Sequence, residues 1–430
     1  MLTETSPPVS RPSGGTLGPR SRAGFFSRLG SRELFLLAAI TAAGPLTIDL
    51  YLPAYPTLAA EFGVAETRVQ LTLTACVFGL ALGQLVIGPV ADRVGRRLPV
   101  VVGLFAWSVS SLLVAAAPTL ELLTLGRFVQ GFVVAAGMVT ARAILRDLSS
   151  GQDLARAFAR LFLVVGAVPM VAPFLGSLVL ELTSWRGVFV VLAGVGLVLA
   201  VVTAVLLPET LPTEQRAPVP VSRLAALYGR LLVDRAFIAP AMVASLAFAG
   251  LFVYINGSSF VLQEQYGISQ LAYGMVFGAV TVSLVVGSQL SSVLVGRFGL
   301  VAVLRAAPIT GSLAIAVVFA VSLLGDLPLP VLVVGLMAAM GVVGVAMPAA
   351  SAHVLNSQPA ARAGLASGLV GVLQFAVGGA ISPLAGVMGT VTATSMTGLM
   401  VLLFAGSAAT AFAVRTDRTT IDDPADALEA

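Results

Sequence analysis

Long apolar runs alternate with short polar breaks along nearly the whole chain. The runs are about 18 to 25 residues long, the length a helix needs to cross a bilayer. Twelve are predicted, at 34–58, 70–91, 98–117, 120–142, 154–180, 187–207, 236–258, 271–295, 300–323, 328–354, 361–388 and 394–414. Short strands of alternating polarity, the mark of a closed barrel, do not occur. The buried backbone must therefore satisfy its polar groups inside helices. The expected fold is an all-α polytopic membrane protein.

Charge fixes an expected orientation. All 24 basic residues are Arg, and with the N-terminus inside, one set of loops collects nearly all of them. The opposite loops hold only Arg68 and Arg186, while Arg127 lies within a span. By the positive-inside rule both termini are expected in the cytoplasm, here of a bacterial cell membrane. Composition agrees: 58% of the 430 residues are hydrophobic and 10% charged, against about 25% charged in soluble domains. The net charge of +4 is spread singly over loops, so nucleic acid is not an expected partner. The lipid bilayer is.

Residues 1–32, rich in Pro, Ser, Gly and Arg, read as a disordered cytoplasmic tail, not a signal peptide. A Pro-rich, charged stretch at 208–235 reads as a linker between halves at 33–207 and 236–414, and 415–430 as a second tail. An internal repeat supports that division: Gly83, Arg93 and Gly95 recur as Gly287, Arg297 and Gly299 at a constant offset of 204. Such a repeat implies two six-helix halves around a central cavity. The single cysteine, Cys76, excludes an intramolecular disulfide or a thiolate metal cluster.

Asp49 is the candidate that matters most. It stands in the first span, in Ala43-Gly-Pro-Leu-Thr-Ile-Asp-Leu-Tyr-Leu-Pro53, deeper than any other carboxylate. An acid at that depth is costly and points to ion or proton movement, or to a structural pair with a buried Arg. Arg127 is the candidate partner. It lies seven residues into span four, roughly 10 Å deep, and Asp49 about nine residues from its own span's outer end, roughly 13 Å deep. The levels suit a pair, direct or through water, acting either as a coupling site or as a static tie between spans one and four.

Three motifs surround these residues. Gly88-Pro-Val-Ala-Asp-Arg-Val-Gly-Arg-Arg97 follows span two. Gly95 permits a tight reversal there, and Asp92 is expected at the N-terminus of span eleven, where the helix dipole favours a carboxylate, with Arg93 or Arg146 as its clamp. Leu125-Gly-Arg-Phe-Val-Gln-Gly131 lies in span four, and Gly166-Ala-Val-Pro-Met-Val-Ala-Pro-Phe-Leu-Gly176 in span five. Pro169 and Pro173 bend the latter helix, and Gly176 lets a neighbour approach.

The loop after span two closely resembles the signature loop of the major facilitator superfamily. The span-four stretch resembles its second motif, and the span-five stretch its antiporter motif, with Ala172-Pro173 for Gly-Pro and Gly176-Ser177 for Gly-Gly. Together with Thr47-Ile-Asp-Leu-Tyr-Leu-Pro-Ala-Tyr-Pro56, Ala141-Arg-Ala-Ile-Leu-Arg-Asp147 and Trp185-Arg-Gly-Val-Phe189, the chain resembles the bicyclomycin/chloramphenicol-resistance (Bcr/CflA) branch of drug:proton antiporters. The resemblance is carried mainly by the N-terminal half. It implies two six-helix halves and proton-coupled export of small lipophilic antibiotics by alternating access. Asp49 would handle proton and drug, and Arg127 would communicate with it. The loop around Asp92, Arg93, Gly95 and Arg96 would latch the inside. Arg142, Arg146 and Asp147 would belong to that latch, or form an ordinary solvated basic loop. The bent helix with Pro169, Pro173 and Gly176 would serve gating.

Other polar and aromatic residues within spans have two readings each. Tyr51, Tyr55, Gln130, Tyr254, Asn256 and Phe375 are candidates to line a drug pocket, against helix bridging and packing. Gln84, Gln289 and Gln374 read as bridges, and His353 as a boundary residue. An enzyme is not expected: the chain has no Lys for a phosphate-binding loop, no His-Glu-x-x-His, and no evident base for a nucleophile. No cofactor or metal is implied, and a monomer is expected. Proton-coupled transport of a metabolite is the alternative function.

Overall fold

The computed structural model describes residues 31–149, 151–216, 221–358, 360–386 and 389–414. Apart from Ser31 and Arg32, both expected tails lie outside these residues. Among the described residues, twelve helical spans are long and apolar enough to cross a membrane.

The first span is not one helix. Helix α1 (Ser31–Asp49) stops at the acidic residue, a 3-10 turn covers Leu52–Ala54, and α2 (Tyr55–Phe62) completes the crossing. Sequence explains the break. Pro53 lacks an N–H, and its ring clashes with the carbonyl four residues back, which belongs to Asp49. The following spans are α3 (Glu66–Val94), α4 (Arg97–Ala115), α5 (Leu120–Leu148), α6 (Gly151–Leu182) and α7 (Trp185–Leu206). The linker holds a helix that the sequence reading did not foresee, α8 (Val221–Val233). Then come α9 (Arg235–Phe260) with a π-helical turn (Val261–Gln265), α10 (Gln270–Phe298), α11 (Leu300–Leu323), α12 (Leu329–Asn356), α13 (Ala360–Ile381) and α14 (Ala393–Phe412).

The repeat is visible in the backbone. Gly95 and Gly299 end α3 and α10 with positive φ, +105° and +84°, and each N–H bonds the carbonyl four residues back, of Ala91 and Val295. Gly83 of α3 lies against the Phe132 carbonyl of α5, and Gly287 of α10 against the Gly341 carbonyl of α12. Equivalent glycines thus bring equivalent helices into backbone contact, which suits packing in lipid, where small residues set the approach. Within the halves α3 packs on α5 and α4 on α7, as α10 packs on α12 and α11 on α14. Two seams join the halves: α6 against α10, and α3 against α13.

Candidate functional site at the break in the first span

Arg127 enters from α5 and is fully buried. Its Nη1 donates to the Thr47 carbonyl at 3.1 Å and to the Gln130 side chain, whose amide reaches Ser111 Oγ at 2.6 Å. The Thr47 carbonyl belongs to the last turn of α1, where carbonyls have no intrahelical partner and the dipole is negative. The guanidinium therefore caps a helix C-terminus in the membrane interior. Its carbon also lies 4.1 Å from the Tyr51 ring centroid and 5.6 Å from that of Phe189, a further compensation for a desolvated cation.

Asp49 faces elsewhere. It is 3% exposed and forms no hydrogen bond among the described residues; its Oδ1 is buried without a partner. A direct Asp49–Arg127 ion pair, one of the two expected forms, is therefore absent among the described residues. Their levels are compatible, since Arg127 reaches Thr47, but two residues along a helix is about 200° around it. Asp49 instead lines a cavity of about 80 Å³ between the halves, with Pro169 from α6, Tyr254 from α9, Thr281 from α10 and Met340 from α12. The Tyr254 hydroxyl is likewise buried without a partner, and its ring stacks on Phe277 at 5.2 Å.

Of the pocket candidates, only Asp49 and Tyr254 meet at this cavity. Tyr51 and Tyr55 share a hydroxyl–hydroxyl contact of 3.1 Å, and Tyr55 donates across the halves to Asn256 Oδ1 at 3.1 Å. Asn256 Nδ2 donates to Ser382 Oγ at 3.0 Å, and Gln70 donates to the Asn256 carbonyl at 3.1 Å. All four of Tyr51, Tyr55, Gln70 and Asn256 are buried in this seam. Ser259 and Gln263 extend it to the Leu52 and Pro53 carbonyls, and Glu66 accepts from the Val391 N–H at 2.6 Å. Phe375 sits in a cluster with Phe248 and Phe252. Gln130 serves Arg127. Every one of these cross-half bonds lies at the end of the molecule remote from the signature loop.

At the loop end, the ion pairs of the described residues stay within the N-terminal half and its linker. The N-terminal turn of α13, where Asp92 is expected, lies outside the described side chains, and neither Arg93 nor Arg146 clamps Asp92 among the described residues. Arg96 holds it, and the same guanidinium reaches Asp147 Oδ2 at 3.1 Å. Arg96 stands just past the reversal at Gly95, at the start of α4, which brings its guanidinium back to Asp92 in the last turn of α3. Burial works against the charge on Arg96, but Asp92 and Asp147 outweigh it and hold the group above its ordinary value. Arg93 is exposed, and Arg142 and Arg146 form no ion pair among the described residues.

Glu209, from the linker, is a residue the sequence reading missed. It caps α4, accepting the N–H groups of Arg96 at 2.8 Å and Arg97 at 3.3 Å, and pairs with Arg216 at 3.8 Å. Partial burial pulls its carboxyl up, yet these N–H donors, that of Leu211 and Arg216 bring it below the ordinary carboxylate value. Its carboxylate sits where a Cβ on Gly95 would project, so the glycine of the signature loop makes room for the cap. Gly176, on α6, meets the Leu50 carbonyl at the break in span one. Ser177, next to it, donates to the Gln270 carbonyl of α10 at 2.7 Å. The antiporter-like helix thus touches both the break and the opposite half. His353 lies in the last turn of α12.

A break in the first span, a hydrogen-bonded seam between two equivalent halves and the loop at Gly95 coincide with one family's sequence model. The model of the Major Facilitator Superfamily matches residues 14–383. The chain belongs to the Major Facilitator Superfamily. It is 37% identical over 372 residues to an uncharacterized MFS-type transporter, YdgK, of Bacillus subtilis (strain 168), covering 85% of this chain and 91% of that one. A bicyclomycin resistance protein homolog of Haemophilus influenzae is 31% identical over 363 residues, 84% of this chain and 91% of the relative. Among solved structures, the nucleoside transporter NupG superposes with a TM-score of 0.68 at 16% identity over 89% of this chain and 98% of that one. A bacterial Spinster homolog, solved inward-facing and occupied, gives 0.65 at 14% over 89% and 94%. These proteins are transporters, not enzymes. With twelve candidate spans among the described residues and these relatives, this major facilitator protein is a multi-pass protein of the cytoplasmic membrane.

Proposed function

We propose that this transporter exports small lipophilic antibiotics in exchange for protons, with Asp49 as the coupling site. The observation that carries the reading is the Asp49 carboxyl itself: buried, without a hydrogen-bond partner or a cation, at a helix break on the seam between the halves. A group so placed is costly to leave charged and gains from a proton or a ligand. Because the cavity borrows walls from both halves, rocking of the halves would expose Asp49 to one side of the membrane and then the other. With the signature loop on the cytoplasmic side, as the positive-inside rule would place it, the hydrogen-bonded seam would close the outer end. Resistance names among the relatives support antibiotic export over metabolite transport.

Arg127 has a part distinct from the expected ion pair. It holds the end of α1 and stacks on Tyr51, from which a hydroxyl chain leads through Tyr55 to Asn256. Displacement of α1 would therefore reach the outer seam. Expression of the wild type in a drug-sensitive bacterial host should raise tolerance to phenicol-type antibiotics or bicyclomycin, and Asp49→Asn at equal membrane abundance should remove that gain. Equal protection by both proteins would sink the assignment of Asp49. No protection against any small lipophilic antibiotic would sink the substrate class.

A further inference from the structure

The Asp49 cavity carries two buried polar atoms without partners, one from each half: Asp49 Oδ1 and Tyr254 Oη. A third polar atom lies on its wall. Thr281 Oγ1 donates its hydrogen to the Phe277 carbonyl at 2.9 Å, which leaves its lone pairs to accept. The rest of the lining, including Leu251, Ile255, Val280 and Leu284, is apolar.

Purely apolar cavities of this size stay dry, whereas a water needs roughly 10–15 Å³ of accessible space and two to four polar partners. Here about 80 Å³ is open, with three candidate partners. We propose that this cavity holds ordered water joining Asp49, Tyr254 and Thr281, and that Tyr254 is the positioning residue through which the C-terminal half senses the protonation state of Asp49. The inference rests on Asp49 as the proton site of the proposed antiport.

The chemistry of the three groups suits the role. An ionised Asp49 only accepts hydrogen bonds, so the water donates to it and accepts a hydrogen bond from the Tyr254 hydroxyl. A protonated Asp49 can donate, and the water then turns to donate to Tyr254. A phenol serves in both arrangements because it donates and accepts. The same bridge spans α1 of one half and α9 of the other, so reversal of its polarity is felt across the seam. Phenylalanine at 254 would keep the ring and its stacking on Phe277 but could take neither part.

Infrared difference spectroscopy during a pH titration tests this on the full-length protein in liposomes. The carboxyl C=O band of Asp49 is identified as the band lost in Asp49→Asn. In Tyr254→Phe that band, which belongs to the protonated acid, is expected to shift to higher frequency, because its O–H loses the water that Tyr254 holds in place and a carboxyl group with fewer hydrogen bonds absorbs higher. Thr281→Val should produce a smaller shift in the same direction. An Asp49 band identical in wild type and Tyr254→Phe would overturn the inference while leaving the antiport reading intact. If no Asp49-dependent band changes with pH in the wild type, both fall. A loss of the folded protein, read from its helical circular dichroism, is not expected for either variant, and Thr281→Val gives an independent reading of the same bridge.

Discussion

Arg127 and Asp49 stand two residues' reach apart along α1 and serve different neighbours. Single-residue chemistry told the sequence reader that both were buried and costly, and that much was legible, because charged residues are rare in apolar runs. What the sequence did not disclose was azimuth. In a span that is apolar on every side, no polar face marks which way a carboxylate points. The same blindness left Tyr51, Tyr55 and Asn256 with two readings, pocket lining or helix bridging: they are buried in the seam remote from the signature loop, bonded to one another. Arg127→Ala should abolish transport of every substrate tested. It leaves the Thr47 carbonyl without a donor, a loss of about 1–3 kcal/mol for an unsatisfied buried group, and severs the tie to Tyr51. Transport assays with several drugs, alongside thermal melts in detergent, check this. Loss for some drugs only would place Arg127 in recognition instead.

Elements were more legible than contacts. Run lengths located the twelve spans, and a 204-residue offset found the repeat, because helix ends that need a positive φ keep a glycine. Span one as a broken helix escaped notice, although Pro53 stood four residues past Asp49. The linker helix α8 escaped because its neighbouring prolines suggested irregular chain. At the scale of packed helices, Gly176→Val should drive a side chain into the Leu50 carbonyl. Overpacking of this kind costs about 1–3 kcal/mol, so the variant should melt lower and transport poorly; an unchanged melting temperature would contradict the close approach.

Glu209 makes a prediction with a definite pH sign. Its carboxyl is held below the ordinary value in the folded protein, so it stabilises the fold above that ordinary value of about 4.3. The contribution is lost as the pH falls through the folded-state value. Wild type should therefore be more stable than Glu209→Gln near neutral pH, with the two melting temperatures converging in acid. A gap that persists or widens in acid would mean that the cap does not depend on the charge.

The molecule as a whole is two equivalent six-helix halves joined by two helix seams, bonded to each other at the end remote from the signature loop. Fold class and family were readable early, since hydropathy, Gly95 and Asp92 are local signals. The pairing of Asp92 with Arg96 and the capping by Glu209 needed three-dimensional structure, because they depend on which way a linker folds back. Export driven by protons requires that Asp49 exchange a proton once per cycle as the halves rock. Drug-triggered proton movement in acid-loaded inside-out vesicles measures this directly. Chloramphenicol or another small lipophilic antibiotic should alkalinise the lumen of wild-type vesicles and leave Asp49→Asn vesicles unchanged. The same alkalinisation in both, or none in the wild type with any drug of a small panel, would contradict the account.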